Sequence, residues 1–282
     1  MTTPRHSVLV TGASTGIGYA IATDLAKSGH QVFASVRKPE DAKRLEADQS
    51  NITPVIFDVC DEAGIQSAFK SISGRLAPDQ PFSLINNAGI AVPGPLENLP
   101  LADFRRQFET NVFAALRMTQ VFLPLIRETN RKKGRIINMS SVSGKMTTPF
   151  LGAYSASKFA LEAISDALRR ELGHEGIKVL LIEPGLIQTP IWGKGEASLN
   201  LAVSDQYQKP FQRFVKGVAK NVDRFALPVE VVNEAVRRAL FEDHPPARQI
   251  VASLPIRLKV ELGALLPSQW IDRLLVGDLF RK

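Results

Sequence analysis

Residues 7–18 read SVLVTGASTGIG and decide the fold. An apolar run, Val8–Val10, leads directly into a glycine-rich segment, and apolar residues then recur at helical spacing from Ile17 to Leu25. This order predicts a buried strand, a tight turn and a helix, the opening elements of a β-α-β unit.

The glycines of this turn are spaced as Gly12-x-x-x-Gly16-x-Gly18. Glycines permit a tight turn and let backbone N–H groups approach a pyrophosphate at the helix N-terminus, where the helix dipole favours anions. The spacing differs from that of a nucleoside-triphosphate loop, and no lysine follows the glycines. A turn that only closes a strand–helix unit would also contain glycines, but the position at the first strand and first helix favours dinucleotide binding.

Short apolar runs alternate with helical patterns along the rest of the chain, which is typical of a parallel sheet. The predicted strands are Ser7–Thr11, Gln31–Ser35, Ile52–Phe57, Phe82–Asn86, Arg135–Ser140, Ile177–Glu183 and Gln249–Ala252. We therefore predict an α/β fold, a single doubly wound Rossmann-type domain with a seven-stranded parallel sheet over residues 5–252. Residues 190–226 lack a clear strand and are predicted to form a substrate lid, and residues 253–282 to form a C-terminal helical extension.

Composition excludes several classes of protein. The 282 residues are 44% hydrophobic, with a single cysteine, Cys60, and four scattered histidines. A disulfide-stabilised secreted fold and a cysteine-rich zinc site are therefore excluded, and we expect no metal site. No apolar run reaches the ~18 residues of a spanning helix, and the N-terminus lacks the layout of a signal peptide, so we expect a cytoplasmic protein.

The net charge of +7 raises anionic partners as a hypothesis. The excess of basic residues is spread along the chain, and only Arg131-Lys132-Lys133, together with Arg135, forms a tight cluster. A solvated loop is the simplest interpretation of that cluster, and we expect no nucleic-acid partner.

The end of the second strand bears on cofactor choice. An acidic residue there would bind the ribose 2′-hydroxyl of NAD, whereas an arginine accommodates the 2′-phosphate of NADP. The chain has Arg37-Lys38 at this point and no carboxylate, which favours NADP over NAD, although two surface residues that open a helix would look the same. Asp58, after the third strand, is a candidate for binding the adenine amino group or for capping the next helix.

A catalytic pattern lies in the second half of the chain. Tyr154 and Lys158 are four residues apart in a helical stretch and so lie on the same face, one turn apart. A lysine ammonium beside a phenol would lower its pKa from about 10 toward the working range. Ser141 follows an apolar strand, at the edge of the sheet where open α/β sheets bind ligands, and its hydroxyl could hold a substrate oxygen.

Together these motifs resemble the short-chain dehydrogenase/reductase family. The matching segments are TGASTGIG at residues 11–18, Asn87-Ala88-Gly89, Ser141, Tyr154-x-x-x-Lys158 and Pro184-Gly185, and the resemblance covers about residues 5–252. It implies a Rossmann-fold, NAD(P)-dependent oxidoreductase that interconverts alcohols with ketones or aldehydes.

The resemblance also implies roles for individual residues. Tyr154 would be the general acid/base, Lys158 its pKa-lowering and ribose-binding partner, Ser141 the residue that orients the substrate oxygen, and Asn111 the anchor of a water in the proton relay. The implied cofactor-binding residues are Gly12, Ser14, Thr15, Gly16, Ile17, Gly18, Arg37, Asp58, Val59, Asn87, Ala88, Gly89, Tyr154, Lys158, Pro184, Gly185, Ile187 and Thr189. Thr15 departs from many NADP-dependent members, which have a basic residue in this loop.

The C-terminal part of the chain suggests a bulky, apolar substrate. The extension from Leu254 onward is rich in leucine, and the lid segment contributes Ile191, Trp192, Leu199, Leu201, Tyr207, Phe211 and Phe214 as candidates for contacting a substrate. The extension could cover the substrate pocket, pack on its own domain, join a subunit interface or touch a membrane surface as an amphipathic helix. The chain resembles the steroid and retinol dehydrogenase branch, which implies a steroid, a retinoid or another lipid-like substrate.

Two further expectations concern assembly and activity. Members of this family form dimers or tetramers through two long helices, here Leu101–Glu128 and Gly152–Glu175, which implies a homodimer or homotetramer. A protein of this fold that binds NADP as a redox sensor without turnover is the alternative to an enzyme. The presence of Ser141, Tyr154 and Lys158 together favours the enzyme.

Overall fold

The centre of the molecule is the predicted seven-stranded sheet. The computed structural model describes residues 6–76, 80–129, 133–189, 203–263, 265–277 and 279–280. The strands are β1 (Ser7–Val10), β2 (Gln31–Val36), β3 (Ile52–Ile56), β4 (Phe82–Asn86), β5 (Arg135–Met139), β6 (Lys178–Pro184) and β7 (Arg248–Val251). All pairings are parallel and the order is β3-β2-β1-β4-β5-β6-β7, which confirms the predicted doubly wound sheet.

Helices cover both faces of this sheet. They are α1 (Gly16–Lys27), α2 (Pro39–Asp48), α3 (Glu62–Ser73), α4 (Leu101–Phe108), α5 (Ala114–Glu128), α6 (Gly152–Leu172), α7 (Asp205–Phe225), α8 (Glu230–Phe241), α9 (Leu254–Gly263) and α10 (Ser268–Val276). A π-helical segment, Glu109–Phe113, interrupts the stretch that the sequence predicts as one long helix. None of the helices in the described ranges is long and apolar enough to cross a membrane.

The core consists of two apolar layers, one on each face of the sheet. Val8 and Val10 of β1 face the layer formed with α1, α2 and α8, while Leu9 faces the layer formed with α3 and α5. Side chains alternate between the faces of a strand, so a strand covered on both sides must be continuously apolar. This requirement is the reason why the apolar runs predicted the strands well.

The order of the strands creates the site. From β1 the chain adds β2 and β3 on one side, and it then returns to place β4 on the other side of β1. The connections that follow β1 and β4 therefore diverge, and they leave a crevice at the carboxyl ends of these strands.

Arg135 differs from its expected place in an exposed basic cluster. It lies in β5 and is only 3% exposed, and burial lowers its pKa. Arg131 and Lys132 lie outside the described residues. Arg135 is the first residue of β5, which confirms the predicted strand Arg135–Ser140, so the interpretation of the basic cluster as a solvated loop does not extend to Arg135.

His6 generates a prediction about stability and pH. It is buried next to His30 and Phe241, and burial lowers its pKa from 6.5 to about 4. The unfolded chain therefore binds more protons between these two values, and the free energy of unfolding should fall as the pH drops from 6.5 toward 4. We expect His6 to account for about 3 kcal/mol of that loss. Urea unfolding of the wild type and of His6→Gln across this range measures the effect, and an equal pH slope in both proteins would contradict it.

Candidate active site

A cavity of about 1290 Å³ occupies the crevice at the carboxyl ends of the strands. All the predicted cofactor-binding residues line it, from the glycine turn through Arg37 and Asp58 to Ile187 and Thr189. Ser141 lines it too, whereas Asn111 lies outside its wall. The volume exceeds the 300–1,000 Å³ typical of small-molecule pockets and leaves room for a cofactor and a substrate together.

The glycine turn is built by close backbone approach. Gly12 and Gly16 have φ angles of +65° and +61°, a region that side chains disfavour. A Cβ on Gly12 would lie 2.8 Å from the Cα of Ala88, and one on Gly18 would overlap the carbonyl oxygen of Gly12. These positions exclude any side chain, so the start of α1 lies open to the cavity.

Thr11 connects the glycine turn to the end of β4. Its hydroxyl donates to the carbonyl oxygen of Ile85 at 3.3 Å and accepts the backbone N–H groups of Asn87 and Ala88 at 2.9 and 3.0 Å. The side-chain amide of Asn87 donates back to the carbonyl oxygens of Thr11 and Gly12 at 2.9 and 3.2 Å. Thr11 is not among the site residues predicted from the sequence. Its position directly before Gly12 could have identified it as part of the site.

Tyr154 and Lys158 lie on one face of α6, as their spacing predicts. The Lys158 ammonium lies 5.7 Å from the centre of the Tyr154 ring and donates a 2.7 Å hydrogen bond to the carbonyl oxygen of Met139 at the end of β5. Burial lowers the pKa of Lys158 to about 8. Burial also raises the pKa of Tyr154, while a hydrogen bond with Ser141 acts in the opposite direction.

The direction of this Tyr154 shift differs from the expectation. Lys158 was expected to lower the pKa of Tyr154, but its ammonium is bound to a backbone carbonyl rather than to the phenol oxygen. The loss of hydration around the Tyr154 side chain is the larger effect, and it favours the neutral phenol.

Ser141 lies where β5 gives way to a short 3₁₀ turn. Its hydroxyl donates to the carbonyl oxygen of Pro184 at 3.3 Å and accepts the backbone N–H of Ser143 at 3.1 Å. Ser141 therefore connects the end of β5 to the end of β6.

Asn111 lies behind the cavity wall, in the π-helical segment. Its amide oxygen accepts the backbone N–H of Ile90 at 2.9 Å, and its amide nitrogen donates to the Ile90 carbonyl at 3.0 Å and to the Ser157 hydroxyl at 3.1 Å. A Cβ on Gly89 would lie 3.4 Å from the amide oxygen of Asn111 and 3.8 Å from the Lys158 nitrogen. Asn111 is thus close to Lys158, and its role in a proton relay stays a prediction.

Arg37 and Asp58 form the other end of the cavity. The Arg37 side chain is 76% exposed, and its guanidinium lies 3.8 Å from the Asp58 carboxylate. Asp58 accepts the backbone N–H of Cys60 at 2.9 Å, whereas Asp61 accepts the N–H of Ala63 and caps α3. The alternative in which Asp58 caps the helix is therefore wrong.

The last helices of the chain contribute apolar side chains to the cavity wall. Phe214, Val218 and Val222 of α7 line the cavity, together with residues of α9 and α10 from the C-terminal extension. The extension thus covers the cavity, which was one of its four expected roles. Ile191, Trp192, Leu199 and Leu201, also expected here, lie outside the described residues.

Phe150 anchors the aromatic side chains of this region. It is buried and packs against Phe211, Phe214 and Phe280. Its φ of +67° is unusual for a bulky side chain, so the packing around it must offset the strain. No pattern in the sequence predicts this conformation. Of the aromatic residues expected to contact a substrate, Phe211 packs on Phe150 instead.

Comparison with known proteins decides the family. A model of the family described as short chain dehydrogenase matches residues 6–200. The chain belongs to the short-chain dehydrogenase/reductase family. This member is therefore an oxidoreductase, as its relatives also indicate. It is 40% identical over 278 residues to the NADPH-dependent 3-dehydrocapnine reductase of Ornithobacterium rhinotracheale, covering 98% of this chain and 97% of the relative.

Two other similarities extend this comparison. The short-chain dehydrogenase is 42% identical over 219 residues to the 3-amino-tetrahydro-pyrrolizinone reductase of Xenorhabdus hominickii, covering 75% of this chain and 74% of the relative. A short-chain dehydrogenase from Streptomyces avermitilis has a solved structure with a TM-score of 0.78 and 27% identity over 97% of each chain. The fold is therefore shared along nearly the whole length.

The close approach at Gly18 yields a prediction about stability. A Cβ at this position would overlap both the Gly12 carbonyl oxygen and the Asn87 amide nitrogen, so Gly18→Ala must displace the turn. We expect it to lower the free energy of unfolding by about 1–3 kcal/mol. Gly173→Ala is the matched control, because Gly173 has φ −60° and an added Cβ would meet no atom within 4 Å. Urea unfolding compares the two, and equal stability of both variants would contradict the packing described.

Proposed function

We propose that this short-chain dehydrogenase uses NADP to reduce a carbonyl group on an apolar substrate, with Tyr154 as the general acid. The observation that carries the proposal is the position of Tyr154, Lys158 and Ser141 on the wall of one cavity that also reaches the glycine turn and Arg37. One cavity thus contains a proton donor, a phosphate-binding turn and room for an apolar molecule.

The residues present fit a dinucleotide. Gly12 and Gly18 leave backbone space at the start of α1 that any Cβ would fill, as the approach of a pyrophosphate requires. Arg37 supports NADP over NAD. Its exposed side chain lies at the end of the cavity away from Ser141, where it would bind the 2′-phosphate of NADP. The NADPH dependence in the name of the relative from O. rhinotracheale supports the same choice.

When bound, the nicotinamide supplies the hydride for the carbonyl carbon. The chain's own residues handle the oxygen: Ser141 orients it, and the Tyr154 hydroxyl donates the proton. Burial keeps Tyr154 protonated, which suits a proton donor and hence the direction of reduction. Lys158, held by the Met139 carbonyl, places its ammonium 5.7 Å from the centre of the Tyr154 ring, where it would bind the ribose of the dinucleotide, the role that the family resemblance implies.

We propose a chemical class for the substrate and name no single compound. The apolar wall formed by α7, α9 and α10 supports a steroid, a retinoid or another lipid-like carbonyl compound. The two reductases named above act on different compounds, so neither name transfers to this chain. We propose residues 5–252 as the catalytic domain, residues 190–226 as its lid and residues 253–282 as a cover for the cavity.

The cytoplasmic location and the homo-oligomeric state remain predictions. Several apolar side chains of the C-terminal extension, among them Leu265 and Trp270, point outward and are exposed. Such side chains are suited to a subunit interface or to contact with a membrane surface.

The role of Tyr154 predicts a clear effect of its removal. Tyr154→Phe keeps the ring but removes the proton donor, so turnover should fall by at least about 10²-fold, the usual contribution of general acid catalysis. NADPH affinity, measured by fluorescence titration, should change little, and Tyr207→Phe is the control tyrosine outside the cavity wall. Retained turnover in Tyr154→Phe would contradict the role, and a wild type that binds NADPH but reduces no carbonyl compound would favour a redox sensor.

The position of Arg37 predicts the choice of cofactor. Arg37→Ala should raise the KM for NADPH by about 10–100-fold, the value of a charge-assisted hydrogen bond, and should leave the KM for NADH unchanged. Lys38→Ala is the control, since Lys38 is exposed but does not line the cavity. Wild-type rates with NADH that equal or exceed those with NADPH would overturn the assignment.

A further inference from the structure

Helix α9 presents one charged side chain to the cavity. Ile256, Lys259 and Val260 line the cavity wall, and their spacing of three and four residues places them on one face of the helix. The rest of that face is apolar.

The neighbours of α9 place Lys259 at the substrate end of the cavity. At the start of the helix, a Cβ on Gly185 would lie 3.4 Å from Ile256. At its end, a Cβ on Gly263 would lie 3.4 Å from the sulfur of Met146, which follows Ser141 closely in the chain and also lines the cavity. Lys259 therefore lies on the side of Ser141 and not beside Arg37.

Lys259 has no carboxylate partner among the residues that the structure describes. Asp223 of α7 lines the same cavity but makes no ion pair with it, and burial alone lowers the pKa of Lys259. Arg257, two residues earlier on the same helix, behaves differently: its guanidinium pairs with Glu261 at 3.0 Å on the outer side. Arg213, another cation of the cavity wall, donates to the carbonyl oxygen of Leu279 at 3.2 Å.

The Lys259 side chain is exposed on the cavity wall, and an ammonium there without a carboxylate partner among the described residues is free to pair with an anionic group of a ligand. The apolar residues of the same wall, such as Val218, Val222 and Leu275, suit a hydrocarbon chain. The two features together describe a site for a molecule with one anionic group and a long apolar part.

We propose that Lys259 binds the anionic group of an amphiphilic substrate, a carboxylate, sulfonate or phosphate, and so determines which carbonyl compounds the enzyme accepts. The apolar chain of that substrate lies against α7 and α10. The placement of its carbonyl group at Tyr154 rests on the proposed reductase function, whereas the anion site itself does not.

Equilibrium binding tests the anion site without turnover. Calorimetry of the NADP-loaded protein with decanoate and with 1-decanol compares an anionic and a neutral head group on the same chain. We expect Lys259→Met to weaken decanoate binding at least tenfold with no loss for decanol, and Lys259→Arg to retain the decanoate affinity. Arg257→Gln is the matched control and should leave both affinities unchanged. Equal decanoate affinity in the wild type and in Lys259→Met would overturn the proposal, as would a loss of NADP affinity in Lys259→Met, which would assign the lysine to the cofactor.

Kinetics with ω-oxo acids of 6–12 carbons and their methyl esters then connects the site to the reaction. We expect Lys259→Met to raise the KM for the best acid about tenfold, with little change in kcat and no change for its ester. If decanoate binding depends on Lys259 while no carbonyl compound is reduced, the reductase function fails and the anion site stands. If acids and esters are reduced equally well by the wild type and by Lys259→Met, the anion site fails and the reductase function stands.

Discussion

The hydroxyl of Thr11 joins the ends of the two strands between which the cavity opens. A parallel sheet leaves the backbone groups beyond its strand ends without ladder partners, and buried groups of this kind need hydrogen bonds from elsewhere. The Thr11 hydroxyl accepts two of them, the N–H groups of Asn87 and Ala88, and it also donates to the Ile85 carbonyl of β4. The glycine turn can then be held open toward a ligand, because its own backbone is fixed from behind by the amide of Asn87.

The catalytic helix is held to the sheet by charges rather than by apolar packing alone. Lys158 binds the end of β5 through the Met139 carbonyl, and one turn further along, Glu162 pairs with Arg248 of β7. Arg248 also reaches the fully buried Glu183 of β6 at 3.2 Å, and Lys145 approaches the same carboxylate at 3.6 Å. Loss of one partner would leave a buried charge uncompensated, so this cluster fixes the position of α6 and thereby the direction of Tyr154.

The fold was predictable from the sequence because inner strands such as β1, β2 and β6 are buried on both faces and so carry largely apolar runs. Site residues such as Gly12 and Lys158 were predictable because each lies at a characteristic spacing from the other residues of its motif. The functions of Thr11, of the π-helical turn at Asn111 and of Phe150 depend on partners that are distant in the chain, or on a backbone angle that no local pattern encodes. The raised pKa of Tyr154 escaped prediction for a related reason: spacing reveals the neighbouring lysine, but not the loss of water around the phenol. The contribution of α9 and α10 to the cavity wall likewise depends on the path of the chain after β7, which no local pattern encodes.

If this enzyme works as proposed, a carbonyl carbon bound in the cavity would receive its hydride from NADPH, and Tyr154 would donate the proton to the carbonyl oxygen. The most direct measurement uses NADPH deuterated at C4 of the nicotinamide, in each of its two diastereomers, with a long-chain aldehyde as the substrate and mass spectrometry of the alcohol formed. The account predicts one deuterium on the carbinol carbon from one diastereomer and none from the other, with no labelled alcohol formed by Tyr154→Phe. Alcohol that carries no deuterium from either diastereomer would contradict it.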